Sequence, residues 1–167
     1  MVLDKLKWIK NIRPINASIR DWAYDENGIK AAESYTNKYG EVFFRLMFWK
    51  KSAALIPKVG DMAFLKQHNK LTHLVEFMKD IDDIKRNSIG KNAVDREVKI
   101  IWWEKSLKKM MQLPNAKEIL GYEPGALRDT YPKPYYECGD FEHEWGEDDR
   151  GFKAEVAKRL KELGWEE

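Results

Sequence analysis

The residues best suited to binding chemistry form a basic and aromatic stretch in the middle of the chain. Lysine and arginine attract phosphates regardless of sequence, and an exposed ring stacks on an unpaired base for about 1–3 kcal/mol. In this stretch Phe48, Trp49 and Phe64 are interleaved with six basic side chains and one acid, Asp61. The basic residues are Arg45, Lys50, Lys51, Lys58, Lys66 and Lys70. The stretch therefore predicts a nucleic-acid surface, unless the rings face the core and the lysines are only solvated.

Alternation along the strands points to two candidate base-binding rings, because neighbouring side chains of a strand face opposite sides. In the segment 97–103, it predicts Trp102 in the core with Val98 and Ile100. It leaves Trp103 partly exposed on the face of Lys99. In the segment 41–49, it sends Arg45 and Trp49 to the face opposite an apolar stripe of Val42, Phe44, Leu46 and Phe48.

Signatures of catalysis and of metal binding are weak in this sequence. The three histidines share no metal-type spacing, and none pairs with a nucleophile in a known triad signature. Cys138 and His143 stand among four acids, but a solvated acidic loop explains this cluster better than a metal site does. The ten glycines form no phosphate-binding loop, which excludes a P-loop nucleotide hydrolase. We therefore predict no metal and no cofactor.

Size and composition indicate one domain. The chain has 167 residues and 43% hydrophobic content, enough to bury a core. Its single cysteine, Cys138, excludes an internal disulfide and a four-cysteine zinc site, which favours a reducing cytoplasm. No apolar run is long enough to span a bilayer, and the first residues lack the pattern of a signal peptide. We therefore expect a cytoplasmic protein with no membrane partner.

The charge is distributed unevenly along the chain. Residues 137–149 carry seven acids and no Lys or Arg, whereas residues 1–136 hold 25 Lys and Arg against 17 Asp and Glu. The basic body suits an anionic partner. The range 122–149 also holds three of the six prolines, which predicts an irregular acidic arm.

The remaining patterns predict an α+β fold with strands in the middle of the chain. Residues 1–27 are expected to form a short helix and a loop, because Pro14 breaks any longer helix. A helix over 28–39 should follow, with Gly40 ending it. Strands are predicted over 41–49, 62–66, 71–78 and 97–103, with a hairpin loop over 67–70. Short helices over 107–111 and 116–120 precede a last helix, 149–163, whose apolar face comprises Phe152, Val156, Leu160 and Leu163.

The segment from Pro57 to Glu76 resembles the signature of PUA-like domains, especially the EVE, YTH and ASCH branches. In those families a Gly-Asp pair, here Gly60-Asp61, opens an apolar strand, and the next strand runs back with a pattern like Thr72 to Glu76. Glycine permits the tight entry, and the aspartate can accept backbone N–H bonds in the turn. The resemblance covers about residues 41–103 and implies a small curved β-barrel flanked by helices.

The resemblance also implies a function, because EVE and YTH domains hold a modified nucleobase in an aromatic cage. It places Trp49 at the mouth of the first strand, with Lys50 and Ser52 beside it. The leading hypothesis is a non-enzymatic module that reads an unpaired RNA or DNA base, methylated or unmodified, using Trp49, Trp103 and Ser52. Phosphate contacts are expected from Arg45, Lys50, Lys51, Lys66 and Lys70. An ASCH-like ribonuclease using Lys66, His68, His73 and Glu76, and a protein-interaction module using the acidic arm, remain as alternatives.

Overall fold

The apolar segments in the middle of the chain assemble into one sheet with helices packed against it, so the α+β class is confirmed. The computed structural model describes residues 3–14, 22–79, 85–86, 93–127 and 131–165. The strands are β1 (Leu6–Asn11), β2 (Tyr35–Thr36), β3 (Val42–Phe48), β4 (Met62–Gln67), β5 (Lys70–Phe77), β6 (Lys85–Arg86), β7 (Val94–Trp103) and β8 (Lys133–Pro134). The helices are α1 (Glu26–Ala31), α2 (Lys51–Ala54), α3 (Leu107–Gln112), α4 (Ala116–Leu120), α5 (Phe141–Trp145) and α6 (Asp149–Glu162).

The strand order of the sheet is β2-β3-β7-β5-β4-β1-β8, with β6 added beside β7. β1 runs parallel to β4, and the other pairs are antiparallel. The path starts at β2 and ends at β8 without returning to its start, so the sheet is open over the described strands. The small curved β-barrel that the resemblance to PUA-like domains implies is therefore not confirmed. No helix in the described part of the chain is long and apolar enough to cross a membrane.

The sheet nevertheless curves until β1 and β3 meet, along a contact that we call the seam. Four inter-strand steps separate these strands, about 19 Å in a flat sheet. At the seam, Lys10 Nζ lies 4.7 Å from the centroid of the Phe48 ring. The guanidinium carbon of Arg13 lies 5.5 Å from the centroid of the Trp49 ring. Tyr24 also bridges the gap, since its hydroxyl accepts a 3.0 Å hydrogen bond from the backbone N–H of Met47.

The curvature creates two apolar cores, one on each side of the sheet. The inner core fills the concave side and includes Phe44, Leu46, Phe48, Leu65, Val75, Phe77 and Val98. The outer core lies between the convex side and helices α4, α5 and α6, and includes Ile9, Phe64, Leu74, Leu120, Phe141, Phe152 and Leu160. Because both faces of the central strands are covered, β4 is buried along its whole length.

Several local predictions are confirmed by the turns and caps. His68 and Asn69 form the tip of the β4–β5 hairpin, with φ values of +46° and +60° that match a two-residue turn with left-handed central residues. Gly60 has a φ of +83°, and the carboxylate of Asp61 accepts the backbone N–H of Lys58 at 3.0 Å. These are the roles that the Gly-Asp pair predicted. Helices α4 and α6 lie where their patterns placed them.

The first forty residues differ from the prediction. The short helix expected within 1–27 is wrong for residues 6–11, which form β1 instead and pair with both β4 and β8. The helix expected over 28–39 ends at Ala31. Tyr35 then enters β2, where its ring stacks on Phe43 with centroids 4.9 Å apart. Tertiary pairing thus overrides the helical spacing of the tyrosines.

The acidic segment is more ordered than an irregular arm. Within 122–149, β8 is followed by a 3-10 turn over Tyr135–Glu137 and by helix α5. Tyr135, Cys138 and Phe141 are buried in the outer core, whereas the neighbouring acids are exposed. Part of the aromatic content of the segment thus packs in the outer core, and its charge faces solvent. At the far end of α6, Leu163 is 43% exposed and does not share the buried face predicted for it.

A bulge in β7 overturns the predicted faces of the two tryptophans. Leu74 pairs with Trp102 and Val75 with Ile100, so Ile101 is the extra residue between them. The bulge reverses the alternation. Trp103 therefore packs against the inner core, on the side of Val98 and Ile100, while Trp102 stacks on Trp165 beside the outer core. Both tryptophans are half-buried.

Replacing Phe152 with Ala should destabilise the fold, because Phe152 is fully buried where α6 meets the sheet. Its ring lies within 5.5 Å of the rings of Tyr135, Phe141 and Trp145. We expect Phe152→Ala to lower the free energy of unfolding by about 3–5 kcal/mol in urea denaturation. Leu163→Ala, at the C-cap of α6, is the control and should cost less than about 1 kcal/mol. Equal losses for the two variants would contradict the docking described for α6.

Candidate nucleic-acid interface

Trp49 lies at the end of β3, where the seam opens toward solvent. It is half-buried and lines a small cleft together with residues 10–13, Tyr24 and Met47. The exposed guanidinium of Arg13 lies over its ring at 5.5 Å. The cleft thus combines an aromatic ring with a cation at the point where two strands meet. Arg13 had no special place in the sequence analysis, because only the curvature of the sheet brings it to Trp49.

The helix that follows Trp49 is held by a buried arginine. Arg96 on β7 is 2% exposed, and its Nη1 atom donates a 2.9 Å hydrogen bond to the carbonyl of Ala54, at the last residue of α2. The same atom donates to the carbonyl of Pro57, and Nη2 donates to that of Lys79 at 2.7 Å. Hydrogen bonds from a charged donor are stronger than hydrogen bonds between neutral groups. Arg96 therefore fixes the backbone of α2, which carries Lys51 and Ser52, relative to the sheet.

Tyr131 joins the interface from a distant part of the sequence. Its hydroxyl lies 3.2 Å from Ser52 Oγ, and its ring centroid lies 5.9 Å from Lys50 Nζ. Tyr131 is 39% exposed. Its segment leads into β8, which pairs with β1, so the end of the sheet carries Tyr131 back toward the seam. Sequence reasoning missed this residue because its range was expected to be irregular.

Two lysines, Lys50 and Lys51, follow Trp49 directly in the chain. Lys50 and Lys51 are exposed and form no ion pair with any residue in the described part of the chain. Elsewhere, Lys7, Lys79 and Lys99 each contact a carboxylate within 3.5 Å. Two neighbouring cations next to a half-buried ring combine the two kinds of group that bind phosphates and bases.

The other predicted phosphate ligands lie elsewhere. Arg45 sits on the same strand as Trp49, but its Nη2 faces Glu97 at 3.9 Å and its side chain is only 14% exposed. Lys66 is buried, and that burial lowers the pKa of its amino group. Lys70 lies at the β4–β5 hairpin and donates to the carbonyl of Leu113. Of the five predicted phosphate ligands, Lys50 and Lys51 adjoin Trp49.

The structure does not bring Trp49 and Trp103 into one cage. Phe48, the neighbour of Trp49, pairs with Val94 at the start of β7, and Trp103 is the last residue of that strand. Nine residues of strand separate them, roughly 30 Å. Trp103 stacks instead on His73, with centroids 5.9 Å apart, and Lys105 lies 5.7 Å from its ring.

The residues of the ribonuclease alternative do not converge. His73 is fully buried on the concave side, where Nε2 donates to the carbonyl of Tyr24 and Nδ1 accepts from the Thr72 hydroxyl, both at 2.9 Å. Glu76 lies on the convex side and pairs with Lys5 and Lys99. His68 is exposed at the hairpin tip, and Lys66 is buried. An acid and a base that share a reaction must reach the same substrate atoms, which this arrangement does not provide.

The cluster around Cys138 and His143 does not form a metal site. Cys138 is buried, its Sγ donates to the carbonyl of Pro134 at 3.1 Å, and burial raises the pKa of the thiol to about 11. The side chain of His143 is 85% exposed on α5. Among the residues that the structure describes, no three His, Cys, Asp or Glu side chains group in a way that could hold a metal ion.

Comparisons with protein-family models, with curated proteins and with solved structures gave no match to this chain. The resemblance of residues 41–103 to PUA-like domains therefore stays a prediction. The function has to be argued from the interface itself.

Burial lowers the pKa of His73 to about 4, despite its hydrogen bond to Tyr24. The unfolded chain, with a histidine pKa near 6.5, therefore binds more protons than the folded chain between about pH 6.5 and pH 4. Stability should fall as the pH drops through this window, by about 3 kcal/mol from this residue. Urea denaturation at a series of pH values measures the slope. His73→Gln should remove this part of the slope and the control His143→Gln should not, so an unchanged slope in His73→Gln would contradict the buried neutral ring.

Proposed function

We propose that this protein is a non-enzymatic module that binds single-stranded nucleic acid and captures one unpaired base on the ring of Trp49. The observation that carries the proposal is the cluster at the seam: a half-buried tryptophan, a guanidinium over its face and two exposed lysines that follow it in the chain. The proposal covers both RNA and DNA as the target, and both a methylated and an unmodified base.

The contact between Arg13 and Trp49 supports base stacking. A guanidinium over an indole uses the same flat, electron-rich face that a nucleobase uses. At 5.5 Å a base does not fit between the guanidinium and the indole, so a stacked base would take the place of the guanidinium. The positive charge of Arg13 would then lie beside the base and attract the same strand. The ring is half-buried, and it lies beside a seam that has no hydrogen-bonded ladder over the described residues.

The lysines supply attraction that does not depend on sequence. Lys50 and Lys51 adjoin Trp49 in the chain, and Arg96 holds the helix that carries Lys51. Two neighbouring cations on an anchored backbone can neutralise phosphates of one strand without reordering that backbone. Duplex ends and loops, which expose both phosphates and unpaired bases, are the nucleic-acid structures that fit such a site.

The same proposal includes a fold assignment that is more specific than the α+β class. We propose that the chain is a PUA-like domain of the EVE type in which the barrel remains open at one seam. The contact of β1 with β3 supports it, because four inter-strand steps bend far enough to bring the first and last of five strands together. The turn at Gly60 and Asp61 supports it as well. In this proposal the open seam is the base-binding mouth.

Trp49→Ala should weaken binding to an unstructured oligonucleotide of about eight nucleotides by about 5- to 150-fold, the worth of one base stack. The half-buried ring makes a smaller contribution to the core, so the melting temperature should change by a few degrees only. Fluorescence anisotropy measures the affinity. If the oligonucleotide is RNA, a gel after incubation with the protein should show it uncleaved.

Tyr39→Ala is the matched control for this experiment. Tyr39 is 75% exposed, and Lys38 lies 4.9 Å from its ring, so it forms a second aromatic and basic pair at the opposite end of β3. This variant should bind as the wild type does. Equal losses in both variants, or a collapse of the melting temperature in Trp49→Ala, would overturn the role of Trp49.

The affinity should also fall steeply with salt. Each lysine–phosphate contact to a single strand contributes about 0.7 to the slope of log K against log salt concentration. The double variant Lys50→Gln/Lys51→Gln should therefore flatten the slope by about 1.4. Lys108→Gln/Lys109→Gln, another exposed pair of neighbouring lysines, should leave the slope unchanged. A slope that is the same in both double variants would remove the phosphate contacts from this site.

A further inference from the structure

We infer that Ser52, Tyr131 and Lys50 form one phosphate subsite, which holds the phosphodiester next to the base on Trp49. The inference rests on the proposed function and adds to it a residue, Tyr131, that lies outside the basic and aromatic stretch. It also assigns Ser52 to the phosphate and not to the base.

The hydroxyl groups of Ser52 and Tyr131 lie close enough to share a hydrogen bond. Ser52 Oγ and Tyr131 Oη lie 3.2 Å apart, although 79 residues separate them in the chain. In a hydroxyl pair one group donates to the other, so the second group keeps its proton for an outside acceptor. Both residues are exposed, and that proton can reach a ligand.

The cation beside the pair decides which acceptor fits. Lys50 Nζ lies 5.9 Å from the Tyr131 ring centroid and is not paired with a carboxylate in the described part of the chain. A neutral sugar hydroxyl would gain little from an ammonium group. A phosphate oxygen gains a charge-assisted hydrogen bond from it and a further bond from the free hydroxyl. The chemistry of the three groups therefore favours an anionic oxygen.

The subsite lies next to Trp49 in the chain. Lys50 follows Trp49 directly, and Ser52 lies in the short helix α2 that Arg96 anchors to β7. A base stacked on Trp49 thus brings its own linkage within reach of Lys50. Tyr131 completes the subsite from the segment that leads into β8.

The test combines a protein variant with a change in one linkage of the ligand. Tyr131→Phe removes the hydroxyl and keeps the ring under Lys50. It should weaken binding of an unmodified single-stranded oligonucleotide about 10- to 150-fold, the usual loss for a hydrogen bond to a charged group. The loss is expected whichever hydroxyl donates to the phosphate, because without Tyr131 Oη the Ser52 hydroxyl has no partner to orient it. The same affinities are then measured with oligonucleotides in which one phosphodiester at a time is replaced by an uncharged methylphosphonate. At one linkage the variant and the wild type should bind equally, because the missing charge has already removed the contact.

Two controls separate the inference from the proposed function. Tyr136→Phe changes a tyrosine of the same segment that is 54% exposed, and it should bind as the wild type does. If Tyr131→Phe also binds as the wild type does while Trp49→Ala loses affinity, the phosphate subsite is wrong and the base-stacking function stands. If Tyr131→Phe loses the same factor with every methylphosphonate oligonucleotide, the hydroxyl does not contact a phosphate. If the wild type binds no oligonucleotide at low salt, the function and the subsite both fail.

Discussion

The contact between β1 and β3 marks the curvature of the sheet, on which the interface depends. Lys10 is 2% exposed, and its amino group lies over the face of Phe48 in the inner core. A buried ammonium group is costly unless it is compensated, and an aromatic face and a carbonyl oxygen supply part of that compensation here. Bending the sheet to make this contact separates the two cores, and it carries Arg13 to the ring of Trp49. The interface therefore follows from the curvature and not from a local motif.

Two further anchors keep the interface in place. Tyr24 occupies the seam from the inside, where its hydroxyl accepts the backbone N–H of Met47 and its ring lies 4.9 Å from Phe44. Ala23 is held next to it by reciprocal hydrogen bonds with the side chain of Gln67, at 2.8 and 3.0 Å. Arg96 fixes the other side through the carbonyls around α2. Preorganised groups lose less conformational entropy when a ligand binds, so these anchors favour binding at the seam.

The sequence predicted those elements whose signals are local. The β4–β5 hairpin, the turn at Gly60-Asp61 and helix α4 with its Gly121 end all depend on residues within a few positions of each other. Strand β1 could not be predicted in this way, because its six residues include two lysines and its partners β4 and β8 are distant in sequence.

The site was predictable only in part for the same reason. Trp49, Lys50 and Lys51 follow from composition and alternation. The bulge at Ile101, which turns Trp103 toward the inner core, cannot be predicted from the alternation of polar and apolar residues along the strand. Arg13 and Tyr131 reach the site through the bending of the sheet and through β8, contacts that span 36 and 79 residues in the chain.

The central claim is that one unpaired base stacks on Trp49, and NMR of the complex tests it most directly. In a protein labelled at the tryptophan indoles, Trp49→Phe identifies the Trp49 signal among the seven tryptophans. Adding a single-stranded oligonucleotide should shift the Trp49 indole resonance and produce intermolecular NOEs from its ring protons to base protons, with little change at Trp103. Shifts confined to Trp103, or binding without any contact to Trp49, would contradict the claim.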